Sequence, residues 1–132
     1  MKALDTNVLV RYLVQDDKKQ AAVATRFIEK NCTDSSPCFI GQITLCELAW
    51  VLESNYNQDR VSIAGVIEQL LQVGQLEAME PSIVWRALKD YKDSNADFPE
   101  HLTARVNESA GCESTMTFDK KASKQAAFEL LS

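Results

Sequence analysis

Short apolar runs alternate along this chain with longer stretches whose apolar residues recur every three or four positions. The first pattern fits buried strands and the second fits amphipathic helices. MKAL (1–4) predicts a short buried strand, and Thr6 is placed to cap a helix over NVLVRYLV. DKKQAAVATRFIEKNC predicts a second helix, the polar stretch from Asp34 to Pro37 a loop, and CFI a strand. ITLCELAWVLESN is apolar nearly all round, which predicts a deeply packed helix with Trp50 in the core. Asp59 can cap RVSIAGVIEQLLQV, with Ile63, Ile67, Leu70 and Leu71 on one face and Gly74 as its end. LEAM predicts a strand. Pro81 opens a helix over PSIVWRALKDYK, striped by Val84, Leu88 and Tyr91, with Trp85 also read as core. ADFPE leads into a helix over EHLTARVNESA that Gly111 closes; STMTF and AFELL are further strand candidates.

Short apolar strands separated by helices predict an α/β fold: three layers, α/β/α, around a central, mainly parallel sheet of about four to five short strands. No linker or repeat divides the chain, so residues 1–132 are expected to form a single domain. In sheets of this kind, sites gather at the carboxyl ends of the strands. Asp5 and Asp119 each follow a strand candidate directly.

Composition narrows the classes. The 132 residues are 45% hydrophobic and 25% charged, ordinary for a globular protein, with a formal net charge of −5. That balance argues against gripping nucleic acid by bulk charge alone, but allows phosphate binding through cations and a local basic patch. No apolar run is long enough to span a bilayer, and the first residues do not read as a secretory signal. With four cysteines lacking C-x-x-C spacing and one histidine, a zinc site is not expected. The cysteines are read as reduced thiols of a cytoplasmic protein.

The candidate chemistry lies in the acids. Asp5 lies between two apolar runs, where it could be a turn or cap residue. Glu47 has Ile43, Thr44, Trp50 and Val51 as helical neighbours, so its carboxylate is expected to face the interior. Asp97 and Glu100 form D-x-x-E at a helix start, near to a capping box, and Asp119 in TFDKK could also be a cap. Each acid alone has a structural excuse. Together, carboxylates brought to one edge would repel one another unless a divalent cation lay between them.

DTNVLVRYL, ITLCELAWVL, ADFPEHL and TFDKK, in this order and at these separations, resemble the PIN domain, and more narrowly the small single-domain PIN proteins that include VapC-type toxins. The resemblance implies a ribonuclease that depends on Mg²⁺ or Mn²⁺ and leaves a 5′-phosphate. Carried over, the acid quartet is Asp5, Glu47, Glu100 and Asp119, with Asp97 as an additional metal ligand. Thr6, Asn7 and Thr117 match the family's polar supports. Position 100 departs from the usual Asp by one methylene, which leaves Asp97 and Glu100 competing for the third role. His101 reads either as a solvent-exposed residue of a first helical turn or as an RNA contact. Arg11, Lys120, Lys121 and Lys124 read as solvated surface or as a cationic rim for RNA. The implied partners are an RNA substrate, an antitoxin protein and a second copy of the chain in a homodimer, with no membrane. Two further readings stand beside the toxin: a housekeeping RNA-processing nuclease, and a PIN-like RNA-binding module without catalysis.

Overall fold

The computed structural model describes residues 1–131. The elements run α1 (Thr6–Val14), α2 (Lys18–Asn31), β1 (Cys38–Ile40), α3 (Gln42–Ser54), α4 (Arg60–Gln72), β2 (Leu76–Ala78), α5 (Pro81–Lys92), α6 (Phe98–Ser109), β3 (Thr115–Thr117), a 3₁₀ turn (Ala122–Lys124) and β4 (Phe128–Leu130). The predicted α/β alternation and parallel pairing are both present, but the described strands form two two-stranded sheets in place of one central sheet of four to five. β1 pairs in parallel with β2, and β3 in parallel with β4. No helix among the described residues is long and apolar enough to cross a membrane.

The chain divides into two compact units, Met1–Pro81 and Ser82–Ser132. In the first, the amino-terminal segment does not form a full strand. It joins the edge of β1 through one parallel bridge, Ala3 to Phe39. The Phe39 amide donates to the Lys2 carbonyl at 2.7 Å and its carbonyl accepts from the Leu4 amide at 3.0 Å. α1 packs on α2 and α3, and α3 on α4. Leu9, Ile28, Ile40, Leu45, Leu48, Leu52 and Ile67 close the core with essentially no exposed surface. In the second unit Val84, Leu88, Phe98 and Leu102 are buried, and Tyr91 meets Phe98 edge to face at 6.0 Å. A smaller cluster of Ala104, Ala122 and Phe128 holds the 3₁₀ turn and β4.

Several expectations change. α3 is not packed all round. Leu45, Leu48, Ala49 and Leu52 face the core, whereas Ile43 is 75% exposed and Trp50 51% exposed. A helix of 3.6 residues per turn packed from one side leaves its far face in water whatever residues it carries. Trp85 is likewise outside the core, at 38% exposed. The cap of α1 is Asp5, and Thr6 is the first helical residue. α4 ends at Gln72 with Val73 as its cap, and Gly74 follows just beyond without the left-handed φ of a closing glycine. A Cβ at Gly74 would meet the Asp34 carboxylate, the movable end of an exposed side chain. Gly111 follows the α6 cap at φ 98°, the left-handed geometry expected of a closing glycine.

The cysteine reading is also corrected. Cys32 and Cys38 form a disulfide, with Cα atoms 5.2 Å apart. Cys32 caps α2 and Cys38 opens β1. The loop between them folds back through paired Thr33 and Ser36 backbone bonds, bringing together two thiols that no C-x-x-C pattern would flag. Cys46 and Cys112 remain thiols. Closing this short loop restricts the unfolded chain, worth on the order of 2 kcal/mol in the loop-entropy model. Reduction, or Cys32→Ser, is expected to lower the melting temperature by roughly 5–10 °C, read by thermal denaturation with and without dithiothreitol.

Candidate active site

In the first unit the site begins where the chain leaves its contact with β1. Asp5 follows that segment immediately, and its carboxylate accepts the Thr6 amide at 2.8 Å. This cap satisfies one of the open donors of α1 and sets negative charge at the positive end of the helix. The buried Thr6 hydroxyl donates to Glu47 Oε1 at 3.0 Å. Glu47 itself is exposed, contrary to the interior position expected from its apolar neighbours. The face of α3 that carries it borders α1 and opens to water. A cavity of about 340 Å³ is lined by Asp5, Thr6, Asn7, Arg11, Glu47, Asn55 and Tyr56, among others.

Arg11 carries bonds that its sequence position did not show. Its Nε donates to Gln20 at 2.6 Å; its Nη1 donates to Asp16 and to the Tyr56 hydroxyl, both at 3.1 Å. Tyr56 in turn donates to Asp16 at 2.9 Å. That hydroxyl is the main cause holding the Asp16 carboxyl below the usual carboxylate range. Asp16, Gln20 and Tyr56 were not legible in the sequence because they reach Arg11 from two segments outside α1. Only the segment with Asp16 and Gln20 lies near Arg11 in sequence, and Tyr56 is 45 positions away.

In the second unit Asp97 caps α6, accepting the Glu100 amide at 2.9 Å. Glu100 is half-buried. Burial first, and then the charges of Asp97 and Asp119, hold its carboxyl above the ordinary value, while Lys121 opposes them. Asp97 and Asp119 thus both act electrostatically on Glu100. Asp119 is exposed and accepts the amides of Lys121 at 2.8 Å and Ala122 at 3.4 Å. The Thr117 hydroxyl accepts the Asp119 amide at 3.0 Å. Lys120, Lys121 and Lys124 are exposed.

His101 does not take the exposed position predicted for it. It is 3% exposed, and its ring bonds to Ser94. It points inward because α6 begins at Phe98, which puts His101 on the face shared with Leu102. Beside it Arg105 clamps Asp90 with two bonds, at 2.7 and 3.0 Å, and reaches Glu108 at 3.2 Å.

All five acids offer hard oxygen donors, which suit Mg²⁺ or Mn²⁺ and suit zinc poorly. Mutual repulsion around Glu100 is a charge pattern that a divalent cation relieves. Among the described residues, no group of three or more His, Cys, Asp or Glu side chains is close enough to hold a metal ion as it stands. The structure thus joins Asp5 to Glu47 through Thr6, and Glu100 to Asp97 and Asp119 through their charges.

The profile of the PIN domain matches residues 2–127. The chain belongs to the PIN-domain family. This PIN domain is similar to a VapC ribonuclease of Aquifex aeolicus (strain VF5), at 24% identity over 124 residues, covering 94% of this chain and 91% of the relative. No solved structure matches it. As a PIN domain the chain carries its Asp5 cap, its Glu47 and its TFD turn within the matched region.

Two outcomes follow from this geometry. Thr6→Val removes the donor to Glu47 and is expected to destabilise the protein by about 1 kcal/mol, whereas Thr6→Ser retains stability; thermal melts of the three proteins check it. The depressed Asp16 carboxyl contributes stability that is present above its unfolded value, near pH 4, and lost as pH falls through the folded value. Tyr56→Phe removes the main cause, so its melting temperature should fall less steeply than wild type on acidification below about pH 4.

Proposed function

We propose that residues 1–132 act as a single PIN domain with metal-dependent endoribonuclease activity, and that the protein is the toxin of a VapBC-type toxin–antitoxin pair working in the cytoplasm. The observation that carries this reading is the family match across residues 2–127, which contains every acid the resemblance assigns. The similarity to a VapC ribonuclease along nearly the whole of both chains supports the narrower placement.

Asp5, Glu47, Glu100 and Asp119 would hold Mg²⁺ or Mn²⁺, with Asp97 beside Glu100. When bound, the cation supplies charge neutralisation at the phosphate and lowers the pKa of water. The chain's own residues have separate tasks. Thr6 fixes the Glu47 carboxylate in one orientation. Asp5 holds charge at the start of α1, and Thr117 fixes the backbone that presents Asp119. Glu100, half-buried beside Asp97 and acted on by Asp119, would offer its carboxylate to the cation, which relieves the repulsion those charges create. Asn7 and Arg11, four residues apart on α1, offer a polar edge beside the Asp5 carboxylate to a passing RNA strand.

Acids of this kind can be silenced by a cation from outside, and an Arg of an antitoxin would pair well with them. The exposed Ile43 and Trp50 suit the homodimer, since both present apolar surface on one helix.

Cleavage of structured RNAs with and without Mn²⁺ tests the reading. Wild type should cleave only with the metal. Asp5→Asn, Glu47→Gln, Glu100→Gln and Asp119→Asn should each lose about 100-fold or more of that activity while remaining folded. Equal cleavage by wild type and Asp119→Asn would overturn it. Growth arrest on expression without a partner separates a toxin from a housekeeping nuclease, and failure to bind Mg²⁺ or Mn²⁺ would favour the binding module.

A further inference from the structure

The turn after β3 presents a phenylalanine to water. Phe118, in the bend just past β3, is 80% exposed, and Met116 within β3 is 49% exposed. A single exposed apolar side chain is ordinary and asks for no explanation. Three features set this one apart. First, the turn around it is fixed. The Leu131 amide donates to the Thr117 carbonyl at 2.7 Å, Thr117 receives the Asp119 amide, and Asp119 receives those of Lys121 and Ala122. The Ser123 amide returns to the Asp119 carbonyl at 3.0 Å, and Ala122 anchors the turn in the core at 3% exposed. The backbone on both sides of Phe118 is therefore bonded in place, and its side chain projects into water. Second, Lys120, Lys121 and Lys124 follow it, all exposed, in a chain whose formal net charge is −5. Third, the next residue is Asp119, whose charge acts on Glu100.

We infer that Phe118 is a stacking platform for one unpaired nucleobase of the RNA, with the three lysines receiving the adjoining phosphates, so that the strand is seated next to Asp119. Single-stranded nucleic acid is held in this way: a flat aromatic face takes a base of any identity, and neighbouring cations track the backbone. Phenylalanine offers the face without a hydrogen-bonding group, so the contact positions the strand rather than reading its sequence. Fixing the turn in advance lowers the backbone ordering cost of binding.

The inference rests on the ribonuclease reading, and its test separates the two. Binding of a fluorescein-labelled single-stranded RNA oligonucleotide is measured by anisotropy in EDTA, where hydrolysis is stopped. Cleavage with Mn²⁺ is measured on the same preparations. Phe118→Ala should weaken binding roughly 5- to 100-fold, and raise KM with little change in kcat. Phe118→Trp should restore binding and Phe118→Leu should not, although Leu is as apolar. Melting temperatures should stay near wild type, because the side chain is exposed. Replacing Lys120 and Lys124 with Ala should lower the slope of log Kd against log salt by about 1 to 2.

Wild-type binding and cleavage by Phe118→Ala would overturn the inference, as would full rescue by Phe118→Leu, which would mark a packing role. Loss of self-association in Phe118→Ala with RNA affinity intact would assign the residue to a protein interface and overturn it too. RNA binding that depends on Phe118 without metal-dependent cleavage would defeat the nuclease reading alone. A wild type that neither binds nor cleaves RNA would defeat both.

Discussion

Two hydrogen bonds to Phe39 determine where Asp5 stands. Backbone polar groups buried beside a strand must be paired, and the amino-terminal segment has β1 as its partner. Once Lys2 and Leu4 are bonded on either side of Phe39, the chain can leave the edge only after Leu4, which is buried at 5% exposed. The next residue must open a helix and be able to cap it. Asp5 meets that demand with a group that also carries charge. The Cys32–Cys38 disulfide holds the beginning of the same strand to the end of α2, so the position of Phe39 is constrained from both sides.

The caps show how one residue serves the fold and the chemistry together. Asp5, Asp97 and Asp119 each accept a backbone amide at the start of a helix or turn. An accepted amide orients the carboxylate and leaves its second oxygen available. The structural and functional readings of these acids are therefore compatible. A cap supplies the preorganisation that a ligand needs, at a place where the loop ends and a rigid element begins. Glu47 differs. It lies mid-helix, and its restraint comes from the Thr6 hydroxyl of another helix.

The sequence by itself determined most of the element order. Periodicity and cap chemistry placed α4 behind Asp59, α5 from Pro81 and the strand candidates CFI, LEAM, STMTF and AFELL, within which the observed strands lie. These signals are local, since a cap or an apolar stripe acts within a turn or two of itself. The acids were legible for the same reason: each lies beside an element boundary or in an apolar setting that makes it conspicuous.

Only tertiary structure decided which sides of those elements meet water. Trp50 and Trp85 carry apolar surface that a sequence assigns to a core, yet each helix packs on one side, and its other residues fill that side first. Glu47 is exposed and His101 buried, the reverse of what their neighbours suggested, because burial depends on which helix lies opposite. The Cys32–Cys38 bond, the bonds of Arg11 to Asp16 and Tyr56, and the outward hold on Phe118 share one property. Each depends on where a turn returns the chain, or on what packs against it. That is a consequence of long-range packing, which no window of neighbouring residues contains.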